Sequence, residues 1–352
     1  MDDVLVIGGG QAGLAAGHFL RRAELRFTIV DAADSVGASW RARWDSLRLF
    51  TPARYNALPG MSFPGAPYSL PAKDEVVAYL EAYARRFELD TRLGTTVNSL
   101  RREGGRFVAR TADGETLEAR AVIVATGANQ RPYVPVFASA LSERIVQLHS
   151  SAYRRPGDVP PGRVLVVGAA NSGAQIALEL ARAGREVVLS GRDVGALPRR
   201  LLGRDLYDWM WPTVMRPTVD TRLGKRLMKG RLFSGDPLIG IEAALFERDG
   251  VRRAGRTVGA AAGDPVVEGA RLEDVAAIVW CTGFRPDYGW MELPVLGLDG
   301  YPAHRRGLAE SVRGLGFLGM RFQRRLGSSL LGGVGEDAAE VVRHLANDLR
   351  RT

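Results

Sequence analysis

The sequence predicts an α/β chain in which one strand–turn–helix–strand plan occurs twice, and three observations predict it. Residues 4–31 read VLVIGGGQAGLAAGHFLRRAELRFTIVD, and residues 164–190 read VLVVGAANSGAQIALELARAGREVVLS. Each stretch opens on four aliphatic residues, as in a strand buried on both faces of a parallel sheet. A turn glycine follows, with a second glycine five positions later, then an Ala- and Leu-rich helical segment and another apolar strand. The copies lie 160 residues apart, an offset of domain size rather than a solenoid period.

The remaining elements follow in order. Residues 73–87 (KDEVVAYLEAYARRF) have helical apolar spacing with acids near the start. Short strands are predicted around residues 95–100, 107–110 and 121–124, separated by turns at Gly104-Gly105 and Asp113-Gly114. Prolines from Pro156 to Pro161 mark the entry to the second copy. Residues 276–280 form another apolar strand, ending in Cys281-Thr282-Gly283, and residues 336–349 a final helix. The expected division is one unit from residues 1–155 and 275–352, with a second, residues 156–274, inserted between them.

Composition narrows the function. A chain of 352 residues is long for one core, and 46% hydrophobic with 25% charged residues excludes wholesale disorder. No apolar run approaches the roughly 20 residues that span a bilayer, so no transmembrane segment is expected. Asp2 and Asp3 stand where a signal peptide would be basic, and a cytoplasmic location is the expectation. A single cysteine, Cys281, excludes an internal disulfide, a CxxC pair and a cysteine-based zinc cluster. The four histidines lack ligand-like spacing, so no metal site is expected. The net charge of +9 is a mild excess, 48 basic against 39 acidic residues, and without a motif nucleic acid is not an expected partner. The basic stretch 216–231 reads as a solvated face rather than a membrane-docking one.

Gly8-Gly9-Gly10-Gln11-Ala12-Gly13 fits G-x-G-x-x-G between a strand and a helix. Gly8 permits the tight turn, Gly10 lets a pyrophosphate approach the backbone, and Gly13 allows close helix–strand packing. Asp31, 23 residues after Gly8, stands where a carboxylate accepts bonds from a ribose diol. The second copy, Gly168-Ala169-Ala170-Asn171-Ser172-Gly173, has Ala170 at the middle glycine. Ser190 aligns with Asp31, and Arg192 follows two residues later. A carboxylate would repel a 2′-phosphate, whereas a hydroxyl and a guanidinium would bind one; Arg199 and Arg200 are further candidates. Two strands end alike, Val124-Ala125-Thr126-Gly127 and Trp280-Cys281-Thr282-Gly283, which lets the chain leave a sheet beside a nucleotide or at a domain crossing. Cys281 in this ending reads as a small packing residue. One diol-reading site and one phosphate-reading site suggest FAD beside NADPH.

With these motifs in order, the chain resembles the flavin-containing monooxygenases, especially the small bacterial FAD- and NADPH-dependent members. The resemblance covers essentially the whole chain. It runs through GGGQAG with Asp31, GASW, WDSLRLFTP, LPAKDEVVAYL, VATG, QLHSSAY, GAANSGAQIALELA, WCTGFRPDY and SSLLGGVGEDAA. It implies two Rossmann-like dinucleotide-binding domains, the NADPH domain inserted into the FAD domain. It also implies that NADPH reduces FAD and that dioxygen adds at flavin C4a. The resulting hydroperoxide would oxygenate a small substrate: a soft sulfur or nitrogen nucleophile, or a ketone. The alternative reading is an NADPH-dependent flavin reductase or oxidase serving a quinone, a ferredoxin or a small disulfide. Substrate and dioxygen are the expected partners, and a homodimer is the default assembly.

By the same resemblance, Gly8, Gly10, Gln11, Ala12, Gly13 and Asp31 hold the ADP half of FAD. Ser39, Trp40 and Arg48 lie near its middle and the flavin, and Val97 meets the adenine through its backbone. Ala125, Thr126 and Gly127 border FAD, and Ser329, Leu330 and Leu331 approach the isoalloxazine. Gly168, Asn171, Ser172, Gly173, Ser190, Arg192, Thr282 and Gly283 serve NADPH. Three positions depart from the family pattern. Phe50 stands where many relatives place an Asn facing the flavin, and lines the flavin pocket here. Glu143 and Ile145 replace the Phe and Gly of F-x-G-x-x-x-H-x-x-x-Y/F, which keeps His149 and Tyr153, and Ala38 replaces a glycine before Ser39. His149 is expected to link the domains structurally.

Overall fold

The computed structural model describes residues 1–231 and 237–351; the side chains of Lys229 and Arg231, at the end of the basic stretch, lie outside the described residues. In chain order the first unit contributes β1 (Asp2–Ile7), α1 (Gln11–Arg22), β2 (Phe27–Val30), α2 (Lys73–Arg86), β3 (Thr91–Arg92), β4 (Val97–Glu103), β5 (Arg106–Thr111) and β6 (Thr116–Val124). The middle of the chain gives β7 (Val146–His149), β8 (Arg163–Val167), α3 (Asn171–Arg182), β9 (Glu186–Ser190), β10 (Arg252–Ala254) and β11 (Val275–Trp280). The chain returns with β12 (Leu315–Phe317) and α4 (Val334–Arg350).

The elements make two parallel sheets. In the first, the order β12–β6–β1–β2–β3 is parallel throughout, and β4 and β5 form an antiparallel extension from β6. In the second, β10–β9–β8–β11–β7 is parallel throughout. A parallel sheet needs cover on both faces, and the strand interiors accordingly carry fully buried Val4, Val6, Val122, Ile123, Val164, Leu165, Val166 and Ile278. Helix α4 packs on α1, and its buried Val334, Ala338, Val341, Val342 and Leu345 are spaced along one helical stripe. Helix α2 starts as its acids suggest, with Glu75 accepting from the Ala72 N–H at 2.7 Å.

Two strands fall across the expected division. Val146–His149 and Val275–Trp280, assigned by sequence to the terminal unit, pair with each other in the second sheet, and Val275–Trp280 pairs on its other side with β8. The limits 155 and 275 therefore cut through one sheet. The register explains it: Val275–Trp280 runs beside Arg163–Val167 residue for residue, with one irregularity between Val275 and Ala277. Such pairing spans more than a hundred residues and leaves no local mark.

The chain crosses between sheets on a short antiparallel ribbon, Arg131–Pro132 against Phe284–Arg285. The Arg285 guanidinium lies 4.1 Å from the Tyr133 ring centroid, and Gln130 accepts from the Asp287 N–H at 2.5 Å. Both crossings leave directly from the Thr-Gly endings of β6 and β11.

Candidate dinucleotide sites and the wall between them

The first turn is built by close backbone approach. Gly8 has φ +111°, and a Cβ there would sit 2.5 Å from the Ala125 carbonyl oxygen. A Cβ on Gly13 would sit 1.8 Å from the Gly8 oxygen. A Cβ on Gly10 would meet nothing within 4 Å, so the space in front of α1 is open where a pyrophosphate is expected. Helix α1 has no side-chain cap and no acid in its first turn, which leaves its N-terminal N–H groups to an anion. Asp31 accepts from Gly9 N–H at 2.6 Å and Ala33 N–H at 2.8 Å, which orients the carboxylate at the end of β2 with lone pairs to spare for a diol. The Asp31 backbone also pairs with Arg92 and Thr95, so the segment leading into Val97 runs past it. These features fit the ADP half of FAD.

The second turn repeats the construction. Gly168 has φ +109°, and its Cβ would lie 2.3 Å from the Cys281 carbonyl oxygen, while a Gly173 Cβ would lie 1.8 Å from the Gly168 oxygen. Helix α3 likewise lacks a side-chain cap and a first-turn acid. Asn171 donates to the Pro237 oxygen at 3.4 Å, and Ser172 is half-buried at the helix start. Ser190 is a correction. Its hydroxyl, fully buried, donates to the Gly255 oxygen at 2.7 Å and meets Thr257 Oγ1 at 2.7 Å. The cause is β10, which pairs beside Ser190 and brings residues 255–257 over it. Ser190 thus ties the sheet together, and Arg192 lies exposed just beyond it.

The Thr-Gly endings lie at the turn glycines and at the start of the crossings. Ala125 and Cys281 press on the turn glycines of the two sites, and the residues after them begin the crossings. Thr126 accepts from Gln130 at 2.8 Å, and Thr282 donates to the Tyr133 oxygen. Gly127 and Gly283 have φ +77° and +80°, where a side chain would be strained. His149 fastens the second crossing. The Ser151 N–H donates to Nδ1 at 3.1 Å, so Nε2 carries the proton and donates to the Gly283 oxygen at 3.0 Å. Burial, helped by the nearby Arg43 charge, lowers its pKa against the pull of that bond. Burial pushes the Cys281 thiol up to about 12, which makes it a packing group facing Gly173 and a poor nucleophile. Ile145, at the family's glycine, is buried beside Trp280 in the core of the second sheet. Tyr153, fully buried, donates to Glu179 at 2.8 Å.

One amide gathers three distant segments at the middle of the first site. Gln11 Nε2 donates to the Ser329 oxygen at 3.1 Å, and Trp40 Nε1 donates to Gln11 Oε1 at 3.3 Å. Leu331 joins the main core, whereas Leu330 packs against Leu206, Tyr207, Met210 and Met215. Phe50 packs against the same cluster, and its backbone oxygen accepts from Arg199 at 2.6 Å. Phe50 and Leu330 therefore share one apolar wall between the units. Ser39 is exposed on its helical turn. The Arg48 guanidinium turns to the Leu70 oxygen and Glu75, while its backbone exchanges bonds with the Gln175 amide on α3. Arg199 is held by Asp205 at 2.8 Å, and Arg200 donates to the Gly203 oxygen.

Sequence reasoning missed several contributors. Gly319, at φ +79°, would place a Cβ 3.2 Å from Ala12, and a Gly332 Cβ would lie 1.9 Å from the Tyr55 oxygen. The glycine runs around both were visible, but their partners lie hundreds of residues away. Asp337 on α4 is fully buried, with no hydrogen-bond partner for either oxygen among the described residues. Burial raises its pKa to about 6, despite the lowering influence of Ser328 and the Arg325 charge.

Comparison with known proteins agrees with this geometry. The family described as pyridine nucleotide-disulphide oxidoreductase matches residues 5–209. An uncharacterized CzcO-like oxidoreductase of Geobacillus kaustophilus is 41% identical over 350 residues, 98% of each chain. The rice indole-3-pyruvate monooxygenase YUCCA1 is 36% identical over 207 residues, 58% of this chain and 51% of its own length. The structure of the flavin-containing monooxygenase from Stenotrophomonas maltophilia superposes with a TM-score of 0.78 at 30% identity, covering 99% of both chains. With a profile matched over more than half its length and a flavin-containing monooxygenase matched nearly end to end, this chain belongs to the pyridine nucleotide-disulphide oxidoreductases and, within them, to the flavin-containing monooxygenase family of FAD- and NADPH-dependent oxidoreductases.

Proposed function

We propose that the protein is a monooxygenase that inserts one oxygen atom into a small organic substrate in the cleft between its two units. The observation that carries this reading is the pairing of unlike sites on one construction: an uncapped helix with a diol-reading Asp31 at one turn, an uncapped helix with Arg192 at the other. FAD bound at the first supplies the oxygen-activating chemistry, with electrons from NADPH at the second.

The chain's own residues do the rest. Gly8, Gly10 and Gly13 admit the pyrophosphate, Asp31 reads the ribose, and Gln11 with Trp40 and Ser329 braces the middle of the site. Val97 lies along the adenine end. Phe50 and Leu330, continuous with Leu206, Tyr207 and Met210, form an apolar wall that keeps water from the reacting end. With Cys281 as its one cysteine, the chain has no dithiol relay, which argues against that route to disulfide reduction.

The test is stoichiometry. Purified FAD-loaded protein is given NADPH, dioxygen and a panel of thioethers, amines and ketones, and both peroxide and products are measured. Product carrying one added oxygen for each NADPH consumed supports the reading. Peroxide equal to NADPH consumed, whatever substrate is offered, overturns it in favour of an oxidase.

A further inference from the structure

Between the two units, beside the Phe50 wall, lies a cavity of about 860 Å³. Arg54, Tyr55 and Tyr68 line it from the first unit, and the segment from Arg199 to Asp208 from the second. Four guanidiniums face two carboxylates there. Both carboxylates are already committed. Asp205 takes Arg199 at 2.8 Å and the Tyr207 N–H at 2.9 Å. Asp208 accepts from the Tyr55 hydroxyl at 2.5 Å and the Tyr68 hydroxyl at 2.9 Å, with Arg54 at 3.6 Å. These bonds keep the Asp208 carboxyl ionised, below its ordinary range.

Two cations have no carboxylate within ion-pair distance among the described residues, although the Arg204 charge also acts on Asp208. Arg200 donates to the Gly203 oxygen at 3.3 Å, and Arg204 lies 5.8 Å from the Trp209 ring centroid. Neither forms an ion pair with a carboxylate among the described residues. The Nη2 of Arg199 is also buried without a hydrogen-bond partner among them. The cavity thus offers several donors and positive charge in excess of its own acids, the setting that a carboxylate satisfies. One lining residue, Tyr55, connects the cavity to an apolar cluster. The Tyr55 ring lies 5.1 Å from Trp211 and 6.0 Å from Tyr207, in the same cluster that holds Phe50 and Leu330.

We infer that this cavity selects the substrate: an organic anion whose carboxylate meets Arg200 and Arg204 and whose apolar body lies toward Phe50 and Leu330. The inference rests on the assignment of Phe50 and Leu330 to the flavin end. On the proposed reading the 2′-phosphate of NADPH goes to Arg192, which leaves this cavity to another anion.

The probes are para-methylthiobenzoate and its methyl ester, which share a thioether and an aromatic ring and differ in charge. Binding to the FAD-loaded protein is measured by calorimetry at low and high salt, without NADPH. The benzoate is expected to bind about tenfold more tightly than the ester, an advantage that shrinks with salt. The Arg200→Gln/Arg204→Gln double variant is expected to bring the two probes within about twofold of each other, and Arg200→Lys/Arg204→Lys to keep most of the preference. Equal binding of acid and ester to the unaltered protein overturns the inference. So does a double variant that loses NADP⁺ affinity while holding the benzoate as before. NADPH-driven flavin reduction is followed separately. A flavin that NADPH does not reduce, with the benzoate preference intact, removes the monooxygenase reading and leaves the anion site standing.

Discussion

The Arg199 guanidinium joins the two units: it donates to the Phe50 carbonyl oxygen at 2.6 Å and holds Asp205 at 2.8 Å. Asp205 is nearly buried, with 8% of its side chain exposed, and Arg199 is 22% exposed. Removing the cation would leave a buried carboxylate without its partner. Arg199→Met is therefore expected to lower stability by about 2–4 kcal/mol, read by urea denaturation. Arg199→Lys should recover part of the loss by keeping the charge. A variant as stable as the parent would show that the pair adds nothing to the junction.

Two glycine substitutions should separate the two sites. Gly13→Ala places a Cβ 1.8 Å from the Gly8 oxygen, and α1 must move away from the turn that admits FAD. The expected result is protein purified with little flavin and destabilised by about 1–3 kcal/mol. Gly173→Ala makes the same clash at the second turn. That variant should purify with flavin bound but accept electrons from NADPH poorly. The flavin-to-protein absorbance ratio and anaerobic reduction rates read the two effects.

Arg192 should set the choice of nicotinamide cofactor, because Ser190 is buried and spent on Gly255 and Thr257. Arg192→Gln is expected to weaken NADP⁺ binding about tenfold or more while changing NAD⁺ binding little, measured by fluorescence titration. Ser190→Ala should lower stability and leave the preference between the two cofactors in place.

Asp337 makes a pH prediction. Folding raises its carboxyl from 3.8 to about 6, so across that window the folded chain keeps a proton that the unfolded chain releases. Its contribution to stability is present below pH 3.8 and lost as pH rises to about 6. Asp337→Asn, which cannot ionise, should be more stable than the parent at pH 7 by about 1–3 kcal/mol. The difference should vanish as pH falls toward 4. Denaturation curves across this range test it, and a constant difference at every pH would contradict the assignment.

Much of the fold was legible because its signals are local. The glycine spacing of 8–13 and 168–173 marks turns in which the last glycine packs on the first within six residues, and the aliphatic runs mark strands covered on both faces. The helix from Lys73 and the final helix were legible for the same reason. What was not legible depends on partners far along the chain. Ser190 looked like the counterpart of Asp31, but β10, more than sixty residues later, covers its hydroxyl. The pairing of Val146–His149 with Val275–Trp280 moved two strands across the expected boundary. The Arg199–Phe50 bond and the bracing of Gln11 by Ser329 likewise join segments that no spacing rule connects.

The central claim is that one chain holds a flavin read through its ribose and a phosphorylated electron donor read through Arg192. Anaerobic titration of the purified protein with NADPH, and in parallel with NADH, tests it most directly. The expected result is protein that carries oxidised flavin, bleached rapidly by NADPH and at least about tenfold more slowly by subsaturating NADH. A colourless protein that takes up no added FAD, or a flavin that neither nicotinamide reduces, would contradict it.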